Sequence, residues 1–357
     1  MMKAQILILL LFTTSLKAAV SIIPIPQKCV ERKGNFIVNE KTTIVIPEND
    51  KDIRDAISVW NDLFTTVAGF PLEITTLKQK TNFIQCSLNA SLEEEAYKLK
   101  VSTKDIRIEA KTAKGIFYAF QTLRQLLPPA IEGNVRVENI EWNIPCVTIE
   151  DKPSFSYRGM MLDVSRHFIE KEDIKRYIDL LAFHKMNVFH WHLTDDQGWR
   201  IEIKNYPKLT SIGGYRNKTI VGYMWDNPTE WDTKRYGGFY TQEDIKEVVA
   251  YAQKRFVNII PEIEMPGHSL SALAAYPEYS CTGGPFEVEG RWGVFNDIYC
   301  TKEETFKFLQ DVLDEVIALF PSEYIHLGGD EAPRIRWRNC VHCQKRMEQE
   351  HLTKEAE

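Results

Sequence analysis

Acidic and histidine side chains follow three apolar segments of the sequence, at the point where each segment ends. In chain order they are His190, His192, Asp195 and Asp196, then Glu262, Glu264 and His268, and finally Asp330 and Glu331. Apolar segments that alternate with helical patterns predict parallel strands, and the carboxyl ends of such strands meet at one rim. Three sets of ionisable groups at one rim favour an active site over unrelated surface charges.

Asp330 and Glu331 stand side by side after two glycines, which permit a sharp exit from a strand and close approach by a ligand. Each charge raises the pKa of the other acid, and burial at a strand end adds to the effect, so one acid can stay protonated near neutral pH. A protonated acid can donate to a leaving group while its charged neighbour stabilises a developing cation, which suits cleavage of a glycosidic bond. Adjacent side chains point in different directions, so the nucleophile of such a reaction must be sought elsewhere.

A metal site is the main alternative interpretation of the same residues. His190 and His192 share one face of a strand because side chains alternate with a period of two, and His268, Asp195 and Glu331 could join them. The two histidines could equally be packed and hydrogen-bonded beneath the rim. Spacing alone leaves the metal interpretation open but does not favour it.

The pattern of predicted elements changes near residue 150. Before it, short strand-like runs lie at 42–47, 97–101 and 106–110, and helical patterns lie at about 52–64 and 115–127. After it, predicted strands at 157–164, 186–193, 256–264 and 323–329 alternate with helices. We therefore predict an α/β protein whose second part has a parallel sheet, either doubly wound or closed into a β/α barrel.

Residues 1–19 match a secretory signal peptide, because Lys3 precedes an apolar run over 6–12 and the small residues Ala18 and Ala19 follow. A secreted or periplasmic protein is therefore expected. The net charge of −6 and the lack of a basic run make nucleic acid a poor candidate partner. No later segment of the sequence has the length and apolarity of a membrane span.

Seven cysteines suit an exported protein better than a cytosolic one. Cys281 and Cys300 flank a glycine-rich loop, and Cys340 and Cys343 form a Cys-x-x-Cys motif. Structural pairing is expected for both sets. A zinc site is disfavoured, because it requires a second ligand pair and the sequence shows none nearby.

Five segments together resemble the family 20 glycoside hydrolases, the β-N-acetylhexosaminidases. They are RGMMLDVSRHF (158–168), HWHLTDDQGWR (190–200), PEIEMPGHSLSALAAYPE (261–278), WGVFNDIYC (292–300) and HLGGDEAP (326–333). Their order and spacing also agree with the family. The amino-terminal part, which contains GIFYAFQTLRQLLP, resembles the accessory domain of that family.

The resemblance implies a TIM-type (β/α)8 barrel and an enzyme that removes terminal non-reducing β-linked N-acetylglucosamine or N-acetylgalactosamine. The substrate would be an oligosaccharide or a glycoconjugate. In this family the sugar's own 2-acetamido carbonyl attacks the anomeric carbon, so the product keeps its configuration and no protein nucleophile is needed. No metal and no cofactor are expected, which further disfavours the metal interpretation.

The same resemblance implies roles for individual residues. Glu331 is the general acid and base, and Asp330 orients the acetamido N–H and stabilises the positive charge that develops there. His268 and Asp195 form a charge-coupled set behind Glu331 that tunes its proton affinity, and Arg158 holds sugar hydroxyls. Five further residues match the motifs and are expected to support the site: Asp163, Arg166, His167, His192 and Asp196.

A full barrel has eight βα units, whereas about four precede Glu357. The sequence therefore predicts a small α+β accessory domain at 20–150 and the amino-terminal half of an incomplete barrel at 151–357. Two alternatives to an active glycosidase remain: a catalytically incompetent fragment or weak sugar-binding module, and a metal-dependent barrel hydrolase. The sequence specifies no oligomeric state.

Overall fold

The computed structural model describes residues 20–47, 50–77 and 79–357, which form two compact units. The first unit extends to Asp50 and continues over Trp60–Lys152, and the second comprises Lys51–Val59 and Pro153–Glu357. The predicted signal peptide lies outside the described residues. Among the helices of the described ranges, none is both long and apolar enough to cross a bilayer.

The first unit is built on a mixed sheet of seven strands. The strands are β1 Lys28–Val38, β2 Thr43–Val45, β3 Glu73–Thr75, β4 Phe83–Leu88, β5 Tyr97–Val101, β6 Asp105–Ala110 and β7 Trp142–Asp151, in the spatial order β1-β7-β5-β6-β4-β2-β3. Its helical elements are α1 Lys51–Leu63, which the division between the units crosses, α2 Ala113–Leu126, the π-helical turn Phe64–Ala68 and the 3-10 turn Pro129–Glu132. The predicted helix at 115–127 is therefore present as α2, which begins one residue after its N-cap Thr112 and ends before Pro128.

The second unit contains alternating strands and helices. They are β8 Gly159–Asp163, α3 Lys171–Phe183, β9 Val188–His192, α4 Gln242–Gln253, β10 Asn258–Glu262, α5 Leu270–Ala275, α6 Glu303–Leu319 and α7 Val341–Gln349. Three short antiparallel strand pairs join 194–195 with 198–199, 215–216 with 236–237, and 219–220 with 231–232. Single helical turns lie at 208–211, 224–226, 277–279 and 335–338. Strands β8, β9 and β10 pair in parallel in that order, so that Asp163, His192 and Glu262 lie side by side at their carboxyl ends.

The fourth predicted strand, at 323–329, is reduced to a single bridge. His326 pairs in parallel with Glu262, and the Met265 N–H donates to the Leu327 carbonyl at 3.1 Å. Leu327 is 43% exposed, so the apolar run before Asp330 and Glu331 is not buried, contrary to expectation. The physical reason is that, within the described ranges, this segment has a strand neighbour on the β10 side only.

Two residue pairs of the second unit, Thr241 with Asp244 and Thr301 with Glu304, have the sequence pattern of a capping box at a helix start. Thr241 and Asp244 form the predicted reciprocal capping box at the start of α4. The capping box predicted at Thr301 and Glu304 is wrong, because α6 begins at Glu303 with Lys302 as its N-cap and no side-chain capping bond. The difference lies in the backbone, which places Thr301 one residue too far from the first turn.

The reciprocal cap of α4 can be tested by substitution. Thr241→Ala removes the acceptor for the Asp244 N–H and should lower the free energy of unfolding by about 1 kcal/mol, whereas Thr241→Ser keeps the hydroxyl and should cost much less. Urea unfolding followed by circular dichroism measures both. Equal stability of the alanine variant and the parent would contradict a contribution from this cap.

Candidate active site

His268 lies at the centre of the ionisable groups at the rim. Its Nδ1 is 3.1 Å from Asp196 Oδ2 and 3.3 Å from Asp195 Oδ1, and its Nε2 is 3.5 Å from Glu331 Oε2. Oxygen atoms of Asp330 and Glu331 and a ring nitrogen of His268 all lie within 4.8 Å of one another. The structure thus brings together four of the five predicted site residues: Asp195, His268, Asp330 and Glu331.

The electrostatics of this cluster make His268 a cation. Hydrogen bonds to Asp195 and then to Asp196 raise the pKa of His268 to about 11, although burial acts in the opposite direction. Burial opposes ionisation of Asp195, but hydrogen bonds from His192 and His268 and the charge of Arg166 lower its pKa to about 2. Burial raises the pKa of Asp196 despite its hydrogen bond with His268. At neutral pH the ring is therefore an imidazolium paired with a fully buried carboxylate.

Arg166 is a second cation on the far side of Asp195. Its guanidinium is 2.7 Å from Asp195 Oδ2 and 3.0 Å from Asp163 Oδ2, and its Nε–H donates to Gln197 Oε1 at 2.9 Å. Asp195 is completely buried, and an isolated carboxylate there would be expensive because it has left water. Arg166 and His268 offset that cost from two sides, which explains how this acid stays charged.

The loop that carries the two aspartates is held by a buried arginine that the sequence analysis did not single out. The Arg200 guanidinium donates to the carbonyl oxygens of Val164, Ser165, Gln197, Gly214 and Gly238. Burial lowers the pKa of Arg200 to about 10, with the charge of Arg216 adding to the effect. A Cβ at Gly198, which pairs with Asp195, would lie 2.1 Å from Arg200 Cζ, so only glycine fits there. Apart from the place of Arg200 in the motif HWHLTDDQGWR, nothing in the sequence indicated that it holds this loop.

A second acid pair lies beneath the rim, at Glu262 and Glu264. His190 Nε2 is 2.5 Å from Glu262 Oε2, and His326 Nδ1 is 2.9 Å from Glu262 Oε1. Burial and the charge of Glu262 raise the pKa of Glu264. Burial also opposes ionisation of Glu262, but the hydrogen bond from His190 and the charges of the neighbouring histidines together lower the pKa of Glu262. Neither acid had a role assigned from sequence. His-x-His on one strand and Glu-x-Glu at the end of the neighbouring strand form a sequence pattern from which contacts between these histidines and acids could have been predicted.

The backbone at Glu331 and at His268 adopts a conformation that is rare for residues other than glycine. Glu331 has φ 45° and His268 has φ 47°, both in the left-handed region. Gly328 has φ 63°, and a Cβ there would lie 1.7 Å from Glu264 Oε2. Glu331 is 48% exposed among the described residues, and it borders a cavity of about 820 Å³ with Gly329, Val294 and Trp337 in its lining.

Arg158 does not join this cluster. Its Nε–H donates to the Lys185 carbonyl at 2.8 Å and a terminal N–H donates to the Phe155 carbonyl at 2.7 Å. The Val188 N–H donates to the Arg158 carbonyl, which fixes this residue at the amino ends of β8 and β9, opposite the rim. These contacts give no support to the sugar-binding role that the resemblance implies, and that role stays a prediction.

The charge state of His268 also bears on the metal interpretation. A metal-bound imidazole is neutral and offers a lone pair. With a pKa of about 11, His268 has to lose a proton before it can bind a metal beside Asp195 or Glu331, which weakens such a site at neutral pH. The Nε2 atom of His192, another candidate ligand, already has protein partners: it lies 3.1 Å from the Thr194 carbonyl and 3.3 Å from Asp195 Oδ2. The arrangement therefore suits acid–base chemistry better than metal chemistry.

Comparisons with known proteins identify the family of the chain. Residues 155–357 match the description "Glycosyl hydrolase family 20, catalytic domain", and residues 19–152 match "Glycosyl hydrolase family 20, domain 2". A β-hexosaminidase of Porphyromonas gingivalis is 43% identical over 342 residues, which is 95% of this chain and 42% of that protein. A β-hexosaminidase of Vibrio furnissii is 45% identical over 267 residues, which is 74% of this chain and 42% of that protein.

Solved structures are similar as well. The family 20 β-N-acetylhexosaminidase of Streptomyces coelicolor A3(2) superposes with a TM-score of 0.77 at 35% identity, covering 92% of this chain and 63% of that one. An exo-β-N-acetylglucosaminidase of Vibrio harveyi in complex with N-acetylglucosamine gives 0.79 at 36% identity, covering 94% and 50%. The matches define a glycoside hydrolase with an amino-terminal domain and an α/β barrel-like catalytic domain. The chain belongs to glycosyl hydrolase family 20, and it spans less than half the length of the two curated relatives above.

The charge of His268 predicts an observable pH dependence. Because its folded-state pKa of about 11 lies above the unfolded value near 6.5, the stabilisation from this charge is complete below about pH 6.5 and is lost as the pH rises towards 11. With ¹³Cε1-labelled histidine, the His268 signal should not shift between about pH 5 and about pH 9, whereas the urea-unfolded chain should titrate near 6.5.

Two variants complete the titration. His268→Gln assigns the signal, and Asp196→Asn, which keeps the shape of the side chain, should lower the pKa of His268 by removing one of its two anionic partners. A folded-state midpoint between about pH 6 and about pH 7 in the parent would show that the aspartates do not hold the ring charged.

Proposed function

We propose that the protein is a β-N-acetylhexosaminidase that removes terminal non-reducing β-linked N-acetylglucosamine or N-acetylgalactosamine. The observation that carries the proposal is the contact of the His268 imidazolium with Glu331, with Asp330 beside it, in a family 20 chain. The related Vibrio harveyi and Streptomyces plicatus enzymes have structures in complex with N-acetylglucosamine, which supports this sugar as the substrate class.

Glu331 acts as the proton donor to the glycosidic oxygen and later accepts a proton from water. The His268 cation, 3.5 Å from its carboxyl oxygen, stabilises the negative charge that remains after the first transfer. Asp195 and Arg166 lie behind the ring and hold its charge and orientation. A preformed row of alternating charges needs little reorganisation when the proton moves, which lowers the barrier.

Asp330 is the fixed anion beside the substrate's acetamido group. It accepts the amide N–H and stabilises the positive charge that spreads over the group when its carbonyl oxygen attacks the anomeric carbon. The product keeps its configuration because water then attacks from the opposite face of the cyclic intermediate. This division of labour explains why two acids that are adjacent in sequence serve different atoms of one substrate.

We also propose that the protein is exported. The support is the pattern of Lys3, the apolar run at 6–12 and the small residues Ala18 and Ala19. Amino-terminal sequencing of the mature protein checks this proposal, since a start near residue 20 is expected and an intact Met1 would contradict it.

The assigned acid is tested with an aryl N-acetyl-β-glucosaminide and the full-length protein. Glu331→Gln should lower kcat by roughly 10²- to 10⁴-fold, the range that general acid–base catalysis contributes. The loss should shrink for an aryl group that leaves readily without a proton. Glu323→Gln, an exposed glutamate in the same segment, is the matched control and should keep full activity. Equal turnover by Glu331→Gln and the control would exclude the assignment, and sugar binding without turnover in the parent would favour a binding module.

Assistance by the substrate's amide is tested separately. Asp330→Asn should lower kcat more than it raises KM, because the lost charge acts mainly in the transition state. The matching aryl β-glucoside, with hydroxyl in place of acetamido, should react far more slowly with the parent. Brisk cleavage of that glucoside would show that another group supplies the nucleophile.

A further inference from the structure

Four cysteines from two distant parts of the second unit meet in one place. Cys281 and Cys300 border the glycine-rich loop, Cys340 precedes α7, and Cys343 lies in its first turn. All four sulfur atoms lie within 4.8 Å of one another. The second ligand pair that the sequence seemed to lack is therefore present in space, because the fold brings the two cysteine pairs together.

The spacing of the sulfur atoms matches a tetrahedral metal centre. The Sγ–Sγ distances are 3.7 Å for Cys281–Cys343, 3.6 Å for Cys300–Cys340 and 3.7 Å for Cys300–Cys343. Four thiolates around a zinc ion, each with a Zn–S bond of about 2.3 Å, lie about 3.8 Å apart. Cys300 is nearly equidistant from Cys340 and Cys343, and Cys343 is equidistant from Cys281 and Cys300. Four ligands of one ion explain these distances, whereas two separate disulfides do not.

The surroundings are those of a closed structural site. Cys300, Cys340 and Cys343 are buried, and Trp337 packs against the cluster while its indole N–H donates to the Tyr299 carbonyl at 2.8 Å. Four protein ligands leave no open position for water or substrate, which distinguishes structural zinc sites from catalytic ones. Four sulfur ligands select zinc or iron over the harder cations.

We propose that Cys281, Cys300, Cys340 and Cys343 bind one zinc ion. The four thiols give up their protons to solvent as the thiolates coordinate the metal. The ion fastens the loop between Cys281 and Cys300 to the segment that follows Glu331.

The loop also reaches the active site on its own. The Glu289 N–H donates to the Asp196 carbonyl at 3.0 Å, and Asp297 pairs with Arg336 at 2.8 Å. Zinc therefore positions both the loop that contacts Asp196 and the segment that carries Glu331, without contacting substrate. This inference does not depend on the proposed hexosaminidase activity.

The metal content of the full-length protein tests the site directly. The protein is produced with its own amino-terminal sequence, purified without chelator or reductant, and analysed by inductively coupled plasma mass spectrometry. One zinc ion per chain is expected, and all seven thiols should be titratable after denaturation in chelator without reductant, whereas two disulfides would leave three. X-ray absorption at the zinc edge should show four sulfur neighbours at about 2.3 Å.

Matched variants identify the ligands. Cys340→Ser and Cys343→Ser should abolish stoichiometric zinc, whereas Cys86→Ser, a buried cysteine of the first unit, should leave it unchanged. Cys343→His preserves a known ligand type and should retain the ion if a serine variant fails to fold. Cobalt substituted into the parent should show the intense visible absorption of a tetrahedral thiolate complex, which requires no variant.

Three outcomes would overturn the proposal. Metal-free protein whose four cysteines resist thiol reagents until reduced would show two disulfides instead. Stoichiometric iron in place of zinc would reassign the site. Zinc that persists in both serine variants would belong to other residues. None of these measurements depends on turnover, so failure of the zinc site and failure of the proposed activity are distinguishable.

Discussion

A buried imidazolium between two aspartates and a glutamate is the interaction on which the rest of the site depends. His268 can carry charge in a position with almost no solvent access because Asp195 and Asp196 face its Nδ1. Asp195 can in turn be ionised without solvent because Arg166 lies on its other side. Loss of either cation would leave the buried carboxylate of Asp195 with one counter-charge instead of two, which is destabilising. The parallel register of β9 with β10 places the two loops that carry these groups against each other.

The sequence was sufficient to predict which residues meet in the cluster, but not which of them contact one another. Strand ends and helix patterns predicted that Asp195, His268 and Glu331 would meet, since parallel strands share one rim. Asp196 was assigned a lesser role, yet it lies slightly nearer to His268 than Asp195 does. Which of two adjacent acids faces a ring depends on the twist of a tight turn, and that twist is set by Arg200 and Gly198 across the loop. Such contacts join residues without any periodic relation along the chain.

Other misjudgements have the same origin. The run before Asp330 has the composition of a strand, but its residues are buried only where other segments cover them, and Leu327 stays exposed. The two cysteine pairs were judged by their separation along the chain, whereas the fold brings Cys300 and Cys343 to 3.7 Å. Arg158 belongs to a matching motif, yet its guanidinium is engaged by carbonyl oxygens at the other end of the strands. A motif fixes residue types, and tertiary contacts fix where their side chains lie.

The left-handed backbone at His268 and Glu331 has a consequence for how this protein can gain stability. A residue with a side chain in that region costs roughly 1–2 kcal/mol relative to glycine, so both positions lower the stability of the folded chain. Glycine would relax each of them but would delete either the imidazolium or the carboxyl group on which the proposed proton transfer depends. Under the proposed function, substitutions that raise stability without loss of activity are therefore expected at other positions.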